Sequence, residues 1–517
     1  MMLPDHNEII RNRYNKVDLL YSEGIDPYPS KWSPNSSARQ IIEKAQDPEQ
    51  GAAYVESAPE VAIGGRIMTI RHMGKASFLH LKDDGATIQI YIKRDELLDP
   101  EQDWTLFKER LDMGDLVGVQ GKVFRTRTGE LSIQARILVL LTKAVRPLPE
   151  KWHGLQDKET RYRQRYVDLI SNESVRETFI QRSRVISALR RHLEELGYLE
   201  VETPMMHPIL GGAAARPFQT HHNALGIPLF LRIAPELYLK RLTVGGMDRV
   251  FEINRNFRNE GLSVRHNPEF TMLELYTAYF NYHDTMDLTE QAIQTVARQV
   301  FDRTVFSWNG HDIGLGDPFE RMTYLDAIRR FVPGLAGAPL SWSADPQTTR
   351  PILEGVLGHL PSELRETHRL LEFVFETHVE SHLVQPTFVT EFPKASSPLA
   401  KAKPGDPAVA DRFELFAGCM ELANGYSELN DPRLQWESFS AQGAARDRGD
   451  EEACQMDEDY VRALEYGMLP CSGLGIGIDR LVMILTGAAS IRDVILFPLM
   501  KPEVWAPEPF ESEEMPS

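Results

Sequence analysis

One segment constrains this chain more than any other. FEINRNFRNEGLSVRHNPEFTMLELY, residues 251 to 276, begins and ends in alternation. Successive side chains of a strand point to opposite faces, so Phe251, Ile253 and Phe257 share one face while Glu252, Asn254, Asn256 and Arg258 share the other. After a polar loop, Phe270, Met272, Glu274 and Tyr276 fall together, opposite Leu273 and Leu275. The pattern predicts two antiparallel strands, each with an apolar side for a core and a second side of charged, amide and aromatic groups. A hairpin with one solvated face alternates in the same way. Phe and Tyr among Arg and Glu favour a working face.

With 517 residues, 42% hydrophobic and 26% charged, the chain is long enough for two or three domains. It holds no run of eighteen apolar residues, and its first twenty residues lack the basic-then-apolar pattern of a leader, so a soluble cytoplasmic protein with no membrane partner is expected. Cys419, Cys454 and Cys471 are too few and too scattered for a disulfide framework or a zinc site. The net charge of −18 excludes gripping nucleic acid by bulk positive charge. Residues 61 to 146 differ, with 14 Lys and Arg against 11 Asp and Glu. That segment can meet phosphate more easily than the rest, although a near-neutral domain is unremarkable by itself.

The order of patterns divides the chain. Residues 1–60 read as a helical lead-in (EIIRNRYNKVDLLYSEG) and a Pro/Ser-rich loop. Residues 61–146 carry five short strands punctuated by glycine, with a helical DWTLFKERL between the third and fourth, as in an oligonucleotide-binding (OB) barrel; sandwiches share such patterning. Residues 147–165 read as a linker, 166–505 as a larger mixed α+β region, and 506–517 as an acidic tail. Phe179, Ile186, Leu189, Leu193 and Leu196 stand at helical spacing, with Gly197 as a stop. The stretch from Leu335 to Leu370 offers helical patches and no site pattern.

Two further segments suggest chemistry. In GLGIGIDRLVMIL, Gly473, Gly475 and Gly477 share one strand face and leave a flat strip for a planar ligand, with Arg480 at the start of an apolar helix. Close strand packing accounts equally well for such glycines. In DRFELFAGCMELANGYSELNDP, a turn centred on Ala417 and Gly418 puts Glu414 opposite Glu421, a pairing that a cation would relieve. Two solvated glutamates on an edge hairpin are the alternative. Glu428 stands between apolar and aromatic neighbours.

Together these stretches resemble the three motifs of class II aminoacyl-tRNA synthetases. The segment ending LEVETPMM resembles motif 1, FRNE…RHNPEF motif 2, and GLGIGIDR motif 3. GGAAARPF, RIAPELYLKRL, FEINRNFRNEG, NGYSELNDP and IRDVILFP further resemble the lysyl-tRNA synthetase family, over roughly residues 60 to 502. The resemblance implies an OB-fold anticodon-binding domain joined to a catalytic domain built on an antiparallel sheet flanked by helices. It implies lysine activation by ATP with Mg²⁺, transfer to the 3′ terminal adenosine of tRNA(Lys), and a homodimer formed through motif 1.

The same resemblance implies roles for individual residues. Arg258 and Arg480 are the catalytic arginines; Arg258 binds the α-phosphate and Arg480 reaches the γ-phosphate. Glu260 meets the adenine amino group, His266 the outer phosphates, and Phe270 stacks on adenine, with Asn267 and Glu414 also in the ATP site. Glu414 and Glu421 hold the metal. For lysine, Glu236 with the Gly212 backbone takes the α-amino group, Glu428 with Tyr276 takes the ε-ammonium, and Glu274, Asn424 and Tyr426 line the pocket. Arg71, Phe78, Gln89 and Glu130 fall in the anticodon-reading segments. The chain departs from some members at Ala213 to Ala215 and in MELANGY before the pocket asparagine.

Three rival readings make different demands. An aspartyl- or asparaginyl-type enzyme needs cationic or amide contacts where this chain has Glu274 and Glu428. A lysine-transferring paralogue acting on protein lacks the barrel of residues 61–146. A non-catalytic RNA binder has no need of Arg258, Glu414, Glu421 and Arg480 together.

Overall fold

Glycine-punctuated strands close into a barrel in the first part of the chain. The computed structural model describes residues 8–74, 76–149, 157–212, 215–447 and 455–502. Ala213, Ala214, Cys454 and the expected acidic tail 506–517 lie outside the described residues. The chain divides into two units, Met1–Arg176 and Glu177–Ser517.

In the first unit, β1 (Glu60–Met73), β2 (Ala76–Asp83), β3 (Ala86–Lys93), β4 (Leu116–Arg125) and β5 (Leu131–Thr142) form a closed barrel in the order β1-β2-β3-β5-β4. All pairs are antiparallel except β3 with β5. Alternation sets the packing: Leu79, Leu81, Ile88, Ile90 and Ile92 point inward and are buried. Each such side chain contributes about 1.5–3 kcal/mol. DWTLFKERL becomes a short helix followed by a π-helical turn, Leu106–Arg110, that buries Leu106 and Phe107 against the barrel. The lead-in helix Glu8–Ser22 lays Leu20 on the same core. The charged stretch read as linker includes a short helix, Lys158–Arg163, and a second, Arg165–Ser171, begins at its last residue.

The second unit is built on a nine-stranded sheet. Its strands are β6 (Leu199–Glu200), β7 (Arg249–Phe257), β8 (Glu269–Ala278), β9 (Glu320–Thr323), β10 (Thr387–Pro393), β11 (Ala402–Lys403), β12 (Asp406–Ala417), β13 (Met420–Ser427) and β14 (Cys471–Gly477). Their order is β9-β10-β12-β13-β14-β8-β7-β6, with β11 beside β12. The pairs at the two ends, β9–β10 and β6–β7, are parallel; the strands between are antiparallel.

The alternation of residues 251 to 276 is realised in this sheet. Phe251 pairs with Leu275 and Ile253 with Leu273, on the side that packs with Phe413, Leu415, Leu474 and Ile476. Helices Tyr282–Phe301 and Ile478–Thr486 complete that core, and so does the apolar stripe of Glu173–Glu195, a helix within which the division between units falls. Gly197 follows it with φ +82°, a left-handed conformation that glycine adopts without strain. A slip of one residue in β8 would bury Glu274 in this core and expose Leu273, so the register is strongly specified.

The hairpin β12–β13 differs from the expectation. Ala417 pairs with Met420, so the turn is centred on Gly418 and Cys419, one residue further along than expected. Glu421 consequently faces Phe416, and Glu414 faces Asn424. A bulge then intervenes: Leu415 pairs with Ala423 and Phe416 with Glu421, leaving Leu422 as the extra residue. The additional residue reverses the alternation. Glu421 thereby returns to the face that carries Glu414, Asn424 and Tyr426, while Leu422 turns into the core.

Candidate active site

The polar face of β8, β12, β13 and β14 forms the floor of an extended cavity in the second unit. One part is lined by Arg258, Glu260, Arg265, His266, Phe270 and Arg480. The other, about 490 Å³, is lined by Gly212, Glu236, Glu274, Tyr276, Asn424 and Glu428, among others. Arg258, Met272, Glu421 and Gly475 belong to both parts, so the two are continuous. All fifteen residues expected in the ATP, lysine and metal sites line one part or the other.

Three motifs meet behind the first part. Arg182, on helix Glu173–Glu195, pairs with Asp479 of helix Ile478–Thr486 at 2.6 Å. Asp479 Oδ2 accepts the backbone N–H of Thr271 in β8 at 2.7 Å, and Arg182 donates to the Thr271 hydroxyl at 3.0 Å. The strand carrying Phe270 and the helix carrying Arg480 are thus fixed by charge-assisted hydrogen bonds, the stronger kind.

Arg258 lies over the ring of Phe270 at 5.1 Å, and its buried Nε has no hydrogen-bond partner among the described residues. A buried donor without an acceptor is unfavourable, so this guanidinium is suited to an anion entering the cavity. Arg480 donates to His266 Nε2 at 3.1 Å and to the carbonyl of Glu421 at 2.8 Å. Burial, and then Arg480, hold His266 below the usual histidine pKa, against the opposing pull of Glu260. Neutral His266 then accepts at Nε2 and donates from Nδ1 to Ser263 Oγ, 2.9 Å away. The Asn267 amide donates to the carbonyl of Glu269 at 2.6 Å. Glu260 is exposed at the cavity rim.

Where the parts join, burial raises the pKa of Glu414 to about 8; Glu421 and Glu380 add to the rise, and Arg412 opposes it. Two carboxyls that resist ionising together fit a divalent cation. No cluster of three or more His, Cys, Asp or Glu able to hold a metal occurs among the described residues. Glu414 and Glu421 would therefore supply only part of the coordination, as at magnesium sites completed by phosphate and water.

The second part is dominated by buried carboxyls. Glu236, Glu274 and Glu428 are each 5% exposed or less. Tyr426 donates to Glu236 Oε1 at 2.6 Å, and Asn256 donates to Glu274 at 3.3 Å. Burial, and then Glu236, raise Glu274 to about 8. Burial also raises Glu428 to about 8, with Glu236 adding to the rise and Lys240 opposing it. Gly212, at φ +93°, stands close to Glu236; a Cβ there would be 3.4 Å from Glu236 Cβ.

Several lining or supporting groups went unnoticed in the sequence. Arg412 donates to Asn424 at 3.1 Å, to Ser397 at 3.0 Å and to Glu414 at 2.5 Å, tying an expected metal carboxyl to an expected pocket amide. Its place two residues before Glu414 on an alternating strand was the available signal. Arg265 lines the first part, and His368 and Arg369 line the second from helix Thr367–His378, in the stretch that offered no pattern. Lys240 is fully buried between Glu236 and Glu428.

On the barrel of the first unit, Arg71 pairs across strands with Phe78, and Phe78 with Tyr91. The rings of Phe78 and Tyr91 lie 5.2 Å apart, and Tyr91 and Phe124 5.9 Å. Gln89 donates to Glu130 at 2.8 Å, and His80 contacts the same carboxylate at 3.3 Å. The four expected anticodon residues are thus joined by a row of aromatics and a histidine. Tyr91 and His80 follow from the alternation in ASFLHL and TIQIYI, the faces opposite Leu79 and Ile90.

Comparison with known proteins adds an independent line. Residues 157–501 match the family model described as tRNA synthetases class II (D, K and N), and residues 61–141 match the OB-fold nucleic acid binding domain. The chain is 49% identical over 499 residues to the heat-inducible lysine–tRNA ligase of Escherichia coli (strain K12), covering 96% of this chain and 97% of that protein. It is 51% identical over 504 residues to the lysine–tRNA ligase of Xanthomonas campestris pv. campestris, with the same coverages. It is 52% identical over 498 residues to that of Carboxydothermus hydrogenoformans, covering 96% of this chain and 98% of the relative.

Proposed function

Because the chain belongs to the lysine–tRNA ligase family of class II tRNA synthetases, we propose a specific division of labour among its residues for joining lysine to tRNA at the expense of ATP. The observation that carries the assignment is the pairing, in one continuous cavity, of buried carboxyls with an arginine whose buried Nε has no hydrogen-bond partner among the described residues.

Lysine has two ammonium groups and one carboxylate. Glu236, beside the Gly212 backbone, takes the α-ammonium, and Glu428 with Tyr276 takes the ε-ammonium; Glu274, Asn424 and Tyr426 close the pocket. The substrate carboxylate is already ionised at neutral pH, so attack on the α-phosphorus needs no general base. It does bring two anionic groups together. Arg258 stabilises the charge developing there, a role for which a fixed donor in a water-poor site is effective. Adenine stacks on Phe270 and meets Glu260, while His266, Asn267 and Arg480 hold the phosphates of the departing pyrophosphate. Glu414 and Glu421 would hold Mg²⁺, which would supply positive charge to neutralise the phosphates. The α-phosphorus–oxygen bond to pyrophosphate breaks as the carboxylate oxygen bonds to phosphorus, giving lysyl-adenylate. The terminal ribose hydroxyl of tRNA(Lys) then takes the lysyl group, and AMP leaves.

Anticodon contact falls to Arg71, Phe78, Gln89 and Glu130 on the barrel. The active species is a homodimer joined through the motif 1 region. Support comes from β6 at the sheet edge and from Leu199, Met205 and Met206, which leave 54%, 43% and 52% of their surfaces exposed. The reaction takes place in the cytoplasm, where tRNA is charged; no helix among the described residues is long and apolar enough to cross a membrane. Asp- or Asn-type specificity is disfavoured by Glu274 and Glu428 in the side-chain pocket.

The test is ATP–pyrophosphate exchange with each of the twenty amino acids in turn, without tRNA, with and without Mg²⁺. Exchange with lysine alone, abolished by EDTA, is expected. Exchange driven by aspartate or asparagine would overturn the pocket assignment.

A further inference from the structure

Lys240 is a cation of the protein itself, buried behind the proposed lysine pocket against two carboxyls that line it. Its Nζ lies 2.5 Å from Glu236 Oε1 and in contact with Glu428 Oε2, and the side chain has no exposed surface. Tyr426 and Tyr276 surround it, their ring centroids 5.4 and 6.0 Å from Nζ. Helix Glu236–Val244 sets the first contact, because residues four apart share a helix face. Glu428 arrives from beyond β13, on a different part of the chain. Glu428 Oε1 has no hydrogen-bond donor among the described residues.

We infer that Lys240 is a positioning residue for lysine: its ammonium is the permanent counter-ion that holds Glu236 and Glu428 at a fixed separation and keeps both able to receive an ammonium of the substrate. The inference rests on the lysine reading given above. The charges make the case. Glu236, Glu274 and Glu428 line the pocket with Lys240 as a buried counter-charge, so once all three are ionised they leave room for two positive charges. Free lysine carries two. Burial already makes Glu428 hold its proton tightly, and Lys240 opposes that; without Lys240 the repulsion between the neighbouring carboxyls would go unopposed and the proton would be held more tightly still. A substrate ammonium would then have to displace that proton before it could form an ion pair. The other groups facing Lys240, Tyr460 and Cys471, are raised by burial above their usual pKa values, so they supply no competing negative charge.

An ordinary buried ion pair would also be sensitive to mutation, so the test reads what stability alone does not move. Lysine-dependent exchange is measured for wild type, Lys240→Met and Lys240→Arg, with KM for lysine, KM for ATP and the pH dependence of kcat/KM for lysine. For K240M the lysine KM is expected to rise roughly tenfold or more, with the ATP KM unchanged. The acid limb should move to higher pH by roughly one unit or more, because the carboxyls have lost the charge that favoured their ionised forms. K240R, which keeps the charge, should keep the wild-type acid limb.

If K240M does not fold, Lys240→Gln is measured in its place under the same criteria. An unchanged lysine KM and acid limb in the neutral variant would overturn the inference. So would equal loss of lysine and ATP use with a lowered melting temperature, or an acid limb in K240R displaced as far as in K240M. These outcomes count only where wild type exchanges with lysine; absence of that exchange refutes the functional reading itself.

Discussion

Glu428 reaches the cavity across the bare backbone of Gly473: a Cβ built on that glycine would lie 2.2 Å from Glu428 Oε1 and 2.6 Å from Tyr276 Cε1. The two groups assigned to the ε-ammonium therefore share a space that exists because residue 473 has no side chain. Gly473→Ala should raise the lysine KM by about 100-fold, since displacing a buried charged partner costs about 3 kcal/mol. The ATP KM should change little. Exchange kinetics with each substrate varied separately would check this; equal effects on both would contradict it.

The raised carboxyls predict how pH and lysine act on stability. In Glu274 and Glu428 the folded pKa is about 8, above the ordinary 4.5. The folded chain holds these protons more tightly than the unfolded chain. Their contribution to stability is complete below about pH 4.5 and is lost as pH rises through about 8. Lysine supplies the positive charge that the ionised carboxyls lack, so it should raise the melting temperature more at about pH 8.5 than at about pH 6.5. Calorimetry at saturating lysine would show this; an equal increment at both values would count against it.

Arg182 and Asp479 should matter for both stability and the nucleotide. Arg182→Met leaves Asp479 buried with one partner fewer, a loss of about 3–5 kcal/mol. Because Asp479 also fixes Thr271, next to Phe270, the ATP KM should rise more than the lysine KM. Urea unfolding and exchange kinetics on one preparation would check both parts.

The barrel should affect transfer and leave activation intact. Phe78→Ala should raise the KM for tRNA(Lys) in aminoacylation by about 5- to 150-fold, the equivalent of about 1–3 kcal/mol for one stacked base. Lysine-dependent exchange without tRNA should be unchanged. A variant impaired equally in both assays would remove Phe78 from the anticodon site.

Period-two alternation made much of this fold legible, because burying one face of a strand leaves a strong trace. The working faces of β7, β8 and β14 and the inward side of the barrel could be read residue by residue. The β12–β13 hairpin could not, since a bulge shifts the register by one without an obvious residue to mark it; symmetry about Ala417 and Gly418 put Glu414 directly across from Glu421, where the structure has Asn424. Lys240 was hidden for another reason. A lysine on a helix is ordinarily solvated, and its burial depends on Glu428, nearly two hundred residues away in sequence. His368 and Arg369 likewise gain meaning only when their helix is folded against the sheet.

The central claim is that buried carboxyls select lysine, and Glu428→Gln tests it most directly. The substitution keeps size and removes one charge. In ATP–pyrophosphate exchange, the account predicts a lysine KM raised by about 100-fold or more with the ATP KM within about twofold of wild type. A lysine KM close to wild type, or an equal rise in both constants, would contradict it.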